Sequence, residues 1–341
     1  MADKATVLVT GGSGYIGGWC VIALLQQGYR VRTTVRSLAK EPQVRAAIGK
    51  VVDPGDRLSF HEADLTADAG WDEAVAGCDY VLHVASPLGV AEPKDPNELI
   101  VPARDGALRA VNAAIKAGVK RVVLTSSVAA TSKPEIKGDT IADETQWTDA
   151  SALGLSAYSQ SKTIAERAAW DLIAEKGGST TLATVNPALV LGPVLGKDFS
   201  ESIQVVERLV AGRVPGLPRL GFCFVDVRDV AELHVLAMTA PEAAGQRFIA
   251  ATEWGWMADV AETLRAKLGA DGARIPTRKV PDFVVRLVGL FDKDLGSVVG
   301  SLGRKREYSS AKAKSLLGWK PRPVDETVLD CARSLIAEGA V

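Results

Sequence analysis

The run Thr10-Gly11-Gly12-Ser13-Gly14-Tyr15-Ile16-Gly17 constrains this chain more than any other stretch. It follows Ala5-Thr6-Val7-Leu8-Val9, an apolar, β-branched segment that reads as a buried strand. It precedes Val21 to Gln27, which has helical character. Strand, glycine turn and helix in that order are the context of a dinucleotide-binding fingerprint. Gly11 supplies the tight turn, Gly14 lets backbone approach a pyrophosphate, and Gly17 lets the helix pack on the strand. The helix N-terminus then presents unpaired N–H groups and the positive end of its dipole to phosphate.

The pattern repeats downstream. Strands are expected at Tyr29–Val35, Leu58–His61, Asp79–Val84, Lys120–Thr125 and Thr180–Val185, with helices between several of them. Alternation of this kind implies a doubly wound parallel α/β sheet, whose ligands bind outside the carboxyl ends of the strands. Gly11–Gly17, Arg36, Asp64, Ser86, Ser127 and Pro187 all fall at such ends. An NAD-binding site commonly places Asp or Glu after the second strand. No acidic residue occurs from Tyr29 to Lys40, and Arg36 and Lys40 stand there instead. Two cations suit a 2′-phosphate, so NADP(H) is the expected cofactor. Asp64 could accept from the adenine amino group, or could cap a helix starting near Asp68.

After Asn186 the alternation breaks. Gly192-Pro193 and Pro215-Gly216-Leu217-Pro218 punctuate a helix near Glu201–Ala211. Phe224–Val230 returns toward the sheet, and Arg247–Ala250 reads as a further strand. Helices are expected at Met257–Leu268, Asp282–Leu290, Ser310–Leu317 and Asp325–Ala337. The division this suggests is a dinucleotide-binding unit over residues 1–187 and 222–251. A smaller, mostly helical substrate-binding lobe would comprise 188–221 and 252–341. Phe283, Leu287 and Leu290/Phe291 recur at helical spacing and are expected in that lobe's core or a pocket wall.

Bulk properties exclude several classes. A net charge of −1 gives no global field for nucleic acid or anionic membrane. Cys20, Cys78, Cys223 and Cys331 are scattered without metal spacing and read as reduced thiols, which suits a cytoplasmic protein. Met1–Lys4 runs directly into a strand, leaving no signal-peptide core, and no apolar run is long enough for a span. His61, His83 and His234 show no metal-ligand spacing and are expected to be structural.

Tyr158 and Lys162 lie four apart near the start of a helix read as Ser156 to about Lys176. That spacing puts phenol and ammonium on one face. A lysine beside a phenol favours the phenolate, so Lys162 is expected to lower the pKa of Tyr158 and fit it for proton transfer.

Taken together, Thr10-Gly11-x-x-Gly14-x-x-Gly17, Thr125-Ser126-Ser127, Tyr158-x-x-x-Lys162, Asn186-Pro187 with Gly192-Pro193, and Tyr308–Lys312 with Leu317-Gly318-Trp319 resemble the extended short-chain dehydrogenases/reductases. Within them the chain is similar to the dihydroflavonol reductase group and its microbial aldehyde and ketone reductase relatives. The matching points are Val35-Arg36-Ser37, Lys40, His83–Pro87 and Phe224–Val227. The resemblance implies a Rossmann fold with Tyr158 as general acid/base, Lys162 also holding the ribose, and Ser127 donating to the substrate oxygen. Pro187 would place its backbone near the nicotinamide carboxamide. Tyr15, Ile16, Leu65, Val84, Ala85 and Val190 join the expected cofactor contacts, and Pro87, Leu88, Ser132 and Phe224 the expected substrate pocket. Ser132 stands where plant flavonoid reductases carry Asn. Ser156-Ala157 and Ser159-Gln160 flank the tyrosine where cinnamoyl-CoA reductases carry Asn-Trp and Cys-Tyr. The expected activity is NADPH-dependent carbonyl reduction by a monomer or homodimer. A nucleotide-sugar epimerase or dehydratase with tightly held NAD and a non-catalytic NADP(H) sensor are the alternatives.

Overall fold

The structure, a computed structural model, describes residues 5–87, 93–132, 138–197, 199–291, 296 and 298–341. Seven parallel strands form its main sheet: β1 (Thr6–Thr10), β2 (Arg30–Val35), β3 (Leu58–Glu62), β4 (Tyr80–His83), β5 (Arg121–Thr125), β7 (Thr181–Pro187) and β11 (Arg247–Ala250). Between β5 and β7 lies the short β6 (Thr140–Ala142). The sheet order is β3-β2-β1-β4-β5-β7-β11. The chain therefore winds outward from β1 in both directions. The reversal between β1 and β4 opens the crevice in which such sheets take ligands.

The strands are apolar because both faces are covered. In β1, Val7 and Val9 point into one cluster, shared with α1 (Tyr15–Gln26) and α7 (Val227–Thr239). Leu8 points into the opposite cluster, shared with α3 (Trp71–Val75), α4 (Asn97–Lys116) and α5 (Ala157–Lys176). One-residue alternation is the period-two rule of a strand. Helix α1 starts at Tyr15, earlier than Val21, because its glycine-rich first turns hide its helical periodicity.

A second, three-stranded sheet has the order β12-β10-β8, with β8 at Leu189–Leu191, β10 at Gly221–Asp226 and β12 at Trp254–Trp256. Phe224–Asp226 thus pairs in parallel with Leu189–Leu191, and does not rejoin the main sheet as expected. A third apolar cluster forms beside it, from Leu191, Val206, Phe224, Leu264 and Leu335 among others. The helix Asp282–Val288 differs from expectation: Phe283 and Leu287 are exposed, as are Leu290 and Phe291 beyond it.

His234 is structural, as its position on α7 suggests. Its Nδ1–H donates to Val230 O at 2.7 Å, and its Nε2 accepts from the Thr125 hydroxyl at 2.7 Å. Burial lowers its pKa from 6.5 to about 4. The unfolded chain takes up a proton that the fold refuses, so stability is lost as pH falls from 6.5 toward 4. Urea unfolding of His234→Gln should lose about 2 kcal/mol less than wild type between pH 7 and 5. An equal loss in both proteins would exclude His234 as a source of acid sensitivity.

Candidate active site

One hydroxyl builds the floor of the crevice. Thr10 Oγ1 accepts from the N–H groups of Val84 (3.0 Å) and Ala85 (2.9 Å). Both lone pairs are then used, so its proton goes to His83 Nδ1, 2.9 Å away. His83 is therefore neutral and protonated on Nε2. Burial lowers its pKa to about 3, with the Lys162 charge adding. The carboxyl ends of β1 and β4 are stapled together by these bonds, and the loop 84–87 is set beside the glycine turn.

The glycine turn has the geometry its sequence demands. Gly11 adopts φ +71°, a conformation side chains avoid, and its N–H donates to Thr34 Oγ1 at 3.0 Å. A Cβ on Gly17 would lie 2.2 Å from the Gly11 carbonyl oxygen. Helix α1 begins after Gly14 with no side-chain cap and no acid in its first turn, so its end is open to an anion. A cavity of about 270 Å³ lies there, lined by Gly12, Ser13, Gly14, Tyr15 and Lys40 among others. Ile16 packs against the β1–α1 core, and Tyr15 also touches the third cluster. The Tyr15 hydroxyl is buried without a hydrogen bond, and burial raises its pKa.

Arg36 and Lys40 are exposed at the end of β2 and make no ion pair among the described residues. The neighbouring acid Glu62 is engaged by the Leu38 N–H at 2.8 Å. Asp64 accepts from the Thr66 N–H (2.8 Å) and hydroxyl (2.6 Å), which chiefly hold its pKa low, with Arg36 and Arg109 helping. It closes this turn and caps no helix, since α3 starts only at Trp71. Leu65 packs into the notch left by Gly106 on α4. Ser86 and Pro87 are half-buried beside Ala85, and Leu88 lies outside the described residues.

Ser127 ends the loop after β5. Its Oγ accepts from the Ala129 N–H at 3.1 Å, and its hydroxyl is near enough to the Tyr158 phenol to favour the phenolate. Helix α5 starts at Ala157 because Ser156 caps it, Oγ accepting from the Ser159 N–H at 3.2 Å. That cap places Tyr158 in the first turn and Lys162 one turn on. Lys162 Nζ is 6.0 Å from the Tyr158 ring centre. The expected lowering of the Tyr158 pKa by Lys162 is not found. Burial raises it, the Ser127 hydroxyl opposes, and the Glu201 charge adds. Burial also disfavours the lysine cation, lowering its pKa to about 8 against support from Glu166.

Pro187 ends β7 beside Ala250, and Val190 on β8 accepts from the Ser202 hydroxyl at 2.6 Å. Ser132 is turned toward Tyr308, with 2.8 Å between hydroxyls, and lines a separate cavity of about 290 Å³ with Thr140, Gln146 and Arg306. Neither Ser127 nor Tyr158 borders that cavity. Phe224 is 1% exposed in the third cluster and presents no surface to a substrate. Reading from the sequence missed the Thr10 staple and three buried polar residues behind the serine loop: Glu166, Asn186 and Arg247. Glu166 carried a signal in its spacing of four from Lys162 on one helix face and Asn186 in the Asn186-Pro187 motif, whereas Arg247 carried none. Among the described residues no metal-binding group exists, and no helix is long and apolar enough to cross a membrane.

The residues fit a nicotinamide dinucleotide. Lys162 is buried, at 8% exposure, and its ammonium has no hydrogen bond or ion pair among the described residues. A buried cation without an acceptor calls for one, and ribose hydroxyls are of the right kind. The open helix end suits the pyrophosphate. Gly17→Ala should cost about 1–3 kcal/mol by crowding the Gly11 carbonyl, and should weaken NADPH binding. Denaturant unfolding and NADPH fluorescence titration check this. Unchanged values in both would show that the turn tolerates a methyl group.

Comparisons with known proteins agree with this geometry. A cinnamoyl-CoA reductase of Medicago truncatula is 40% identical over 247 residues, covering 70% of this chain and 74% of that protein. The dihydroflavonol 4-reductase of Gerbera hybrida is 34% identical over 274 residues, covering 78% and 73%. The crystal structure of yeast methylglyoxal/isovaleraldehyde reductase Gre2 complexed with NADPH superposes with a TM-score of 0.81 at 28% identity, over 98% of this chain and 100% of that one. The description "NAD dependent epimerase/dehydratase family" matches residues 7–251. With residues 7–251 matched and relatives up to 40% identical over most of both chains, the protein belongs to that family, the extended short-chain dehydrogenases/reductases.

Proposed function

We propose that this protein is an NADPH-dependent carbonyl reductase, converting an aldehyde or ketone to an alcohol and reversible as an alcohol dehydrogenase. The observation that carries the reading is Tyr158 near Ser127, with the Lys162 ammonium 6.0 Å from its ring centre and without a hydrogen bond or ion pair among the described residues. The three relatives above are all named reductases, and one was solved with NADPH. Arg36 and Lys40, two exposed cations at the end of β2, favour NADP(H) over NAD(H).

When bound, the nicotinamide supplies the hydride. The chain's own residues handle the charge this puts on the carbonyl oxygen. Ser127, held by the Ala129 N–H, donates to that oxygen. Tyr158 gives it the phenolic proton. The raised pKa of Tyr158 keeps that proton in place at neutral pH, which is what a donor in the reductive direction needs. Lys162, as a cation one turn along the helix, holds the ribose. The reductive kcat/KM should therefore decline above about pH 8, where Lys162 loses its proton.

The test is a panel of aldehydes, ketones and cinnamoyl-CoA with NADPH and with NADH, followed at the nicotinamide absorbance. Oxidation of NADPH by at least one carbonyl is expected. Protein that retains bound NAD through purification and oxidises NADPH with no carbonyl would overturn the reading in favour of epimerase or dehydratase chemistry.

A further inference from the structure

We propose that the buried Glu166–Arg247 ion pair is a positioning device for proton transfer, fixing the serine loop and setting a negative charge one helical turn from Lys162 without touching substrate. The inference rests on the reductase reading above and extends it to residues that this reading does not use.

Glu166 sits on α5, one turn after Lys162 and two after Tyr158, and is 1% exposed. Its two oxygens receive a ring of donors. Oε1 accepts from Arg247 Nε (2.7 Å), the Thr184 hydroxyl (3.1 Å) and Trp170 Nε1 (3.4 Å). Oε2 accepts from the Ser126 hydroxyl, Asn186 Nδ2 (2.9 Å) and Arg247 Nη2 (3.3 Å). Six donor contacts from five residues thus converge on one carboxyl group. Arg247 is as fully engaged. Its Nη1 donates to the carbonyls of Glu144 (2.9 Å) and Gln146 (2.7 Å), and its guanidinium lies 3.7 Å from the Trp147 ring centre.

Apart from Trp170 on α5 itself, the donors come from three adjacent strands or the loop that follows one. Ser126 follows β5, Thr184 and Asn186 lie on β7, and Arg247 opens β11. All meet one carboxylate on the helix that carries the acid/base pair. Asn186 Nδ2 also donates to the Ser127 carbonyl at 3.1 Å, and Ser126 is the residue before Ser127. Glu166 thus reaches the Ser127 backbone from both sides. Buried ion pairs seldom stabilise better than apolar packing would, so core stability alone is a weak account of this one. Its yield is the placement of Ser127 against Tyr158 and a fixed negative charge near Lys162.

Around Lys162, the ionisable groups are Glu166 and Tyr158 on its own helix and neutral His83 on β4. Arg247 on β11 faces it across Glu166, and the Glu201 charge reaches Tyr158. Glu166 is the anion in this set that supports the Lys162 cation.

The experiment compares wild type, Glu166→Gln, the charge-free double variant Glu166→Gln/Arg247→Met, and Ser126→Ala. Folding is followed by circular dichroism, and kcat at saturating NADPH is measured from pH 6 to 10. For the Glu166 variants we expect kcat to fall by about 10²-fold, the scale of a small displacement of reacting groups. Their alkaline limb should also move to lower pH. Ser126→Ala, which removes one strut and no charge, should lower kcat and leave the limb in place. If the Glu166 variants do not fold, Ser126→Ala decides, and wild-type kcat there overturns the proposal. Folded Glu166 variants with wild-type kcat and alkaline limb overturn it whatever their melting temperature. Wild-type protein without carbonyl turnover refutes the reductase reading and this proposal together; wild-type turnover with unaffected variants refutes this proposal alone.

Discussion

Tyr158→Phe should lower carbonyl turnover by about 10²–10⁴-fold and leave NADPH affinity close to wild type. The substitution removes one hydroxyl and keeps the ring. The residue as a whole is 36% exposed at the start of α5, the desolvation falling on its hydroxyl, so no cavity opens in the core. Ser127 keeps its bond from the Ala129 N–H and remains placed to polarise a carbonyl. What disappears is the proton delivered as the oxygen gains charge. The cofactor cradle, Gly11–Gly17 with Thr10 and the open end of α1, has no contact that depends on the phenol. Steady-state rates and NADPH fluorescence titration on the same preparation separate the two effects. Turnover within about threefold of wild type would remove Tyr158 from proton transfer. Lost NADPH binding would show that the hydroxyl serves the cofactor instead.

Much of this site was readable because parallel sheets collect function at strand ends. Gly11, Arg36, Ser86, Ser127 and Pro187 could be placed once the alternation of strands and helices was seen. The main sheet was legible for a related reason: strands buried on both faces are continuous apolar runs. The short strands Leu189–Leu191 and Trp254–Trp256 were not, since three residues carry no usable period and their pairing with Gly221–Asp226 is non-local. Phe224 looked like a pocket residue and is core, because its strand belongs to that second sheet. The electrostatics of Tyr158 and Lys162 were misjudged from spacing. Spacing shows that two groups share a face, whereas burial, which here raises one pKa and lowers the other, is set by packing from distant segments. Arg247 illustrates the limit: its partner Glu166 is 81 residues away in sequence, and nothing in either local context announces the pair.

Removing the two cations at the tip of β2 should reverse the cofactor preference. Arg36 and Lys40 are exposed and unpaired among the described residues, so Arg36→Ala/Lys40→Ala leaves no buried charge and should not destabilise the fold. A hydrogen bond to a charged group contributes about 1.5–3 kcal/mol, so losing the charge-assisted contacts to a 2′-phosphate should cost NADPH about 10²-fold in kcat/KM. NADH has no such phosphate and should change little. Arg36 should matter more than Lys40, because a guanidinium can meet a phosphate with two parallel N–H bonds and an ammonium acts as a point charge. Arg36→Lys should therefore recover only part of the loss. The measurement is kcat/KM for both cofactors at two salt concentrations. Exposed charge pairing weakens with ionic strength, so the NADPH/NADH ratio of kcat/KM should fall at high salt for wild type and stay unchanged for the double variant. A double variant that still prefers NADPH by the wild-type ratio would place the 2′-phosphate elsewhere on the protein.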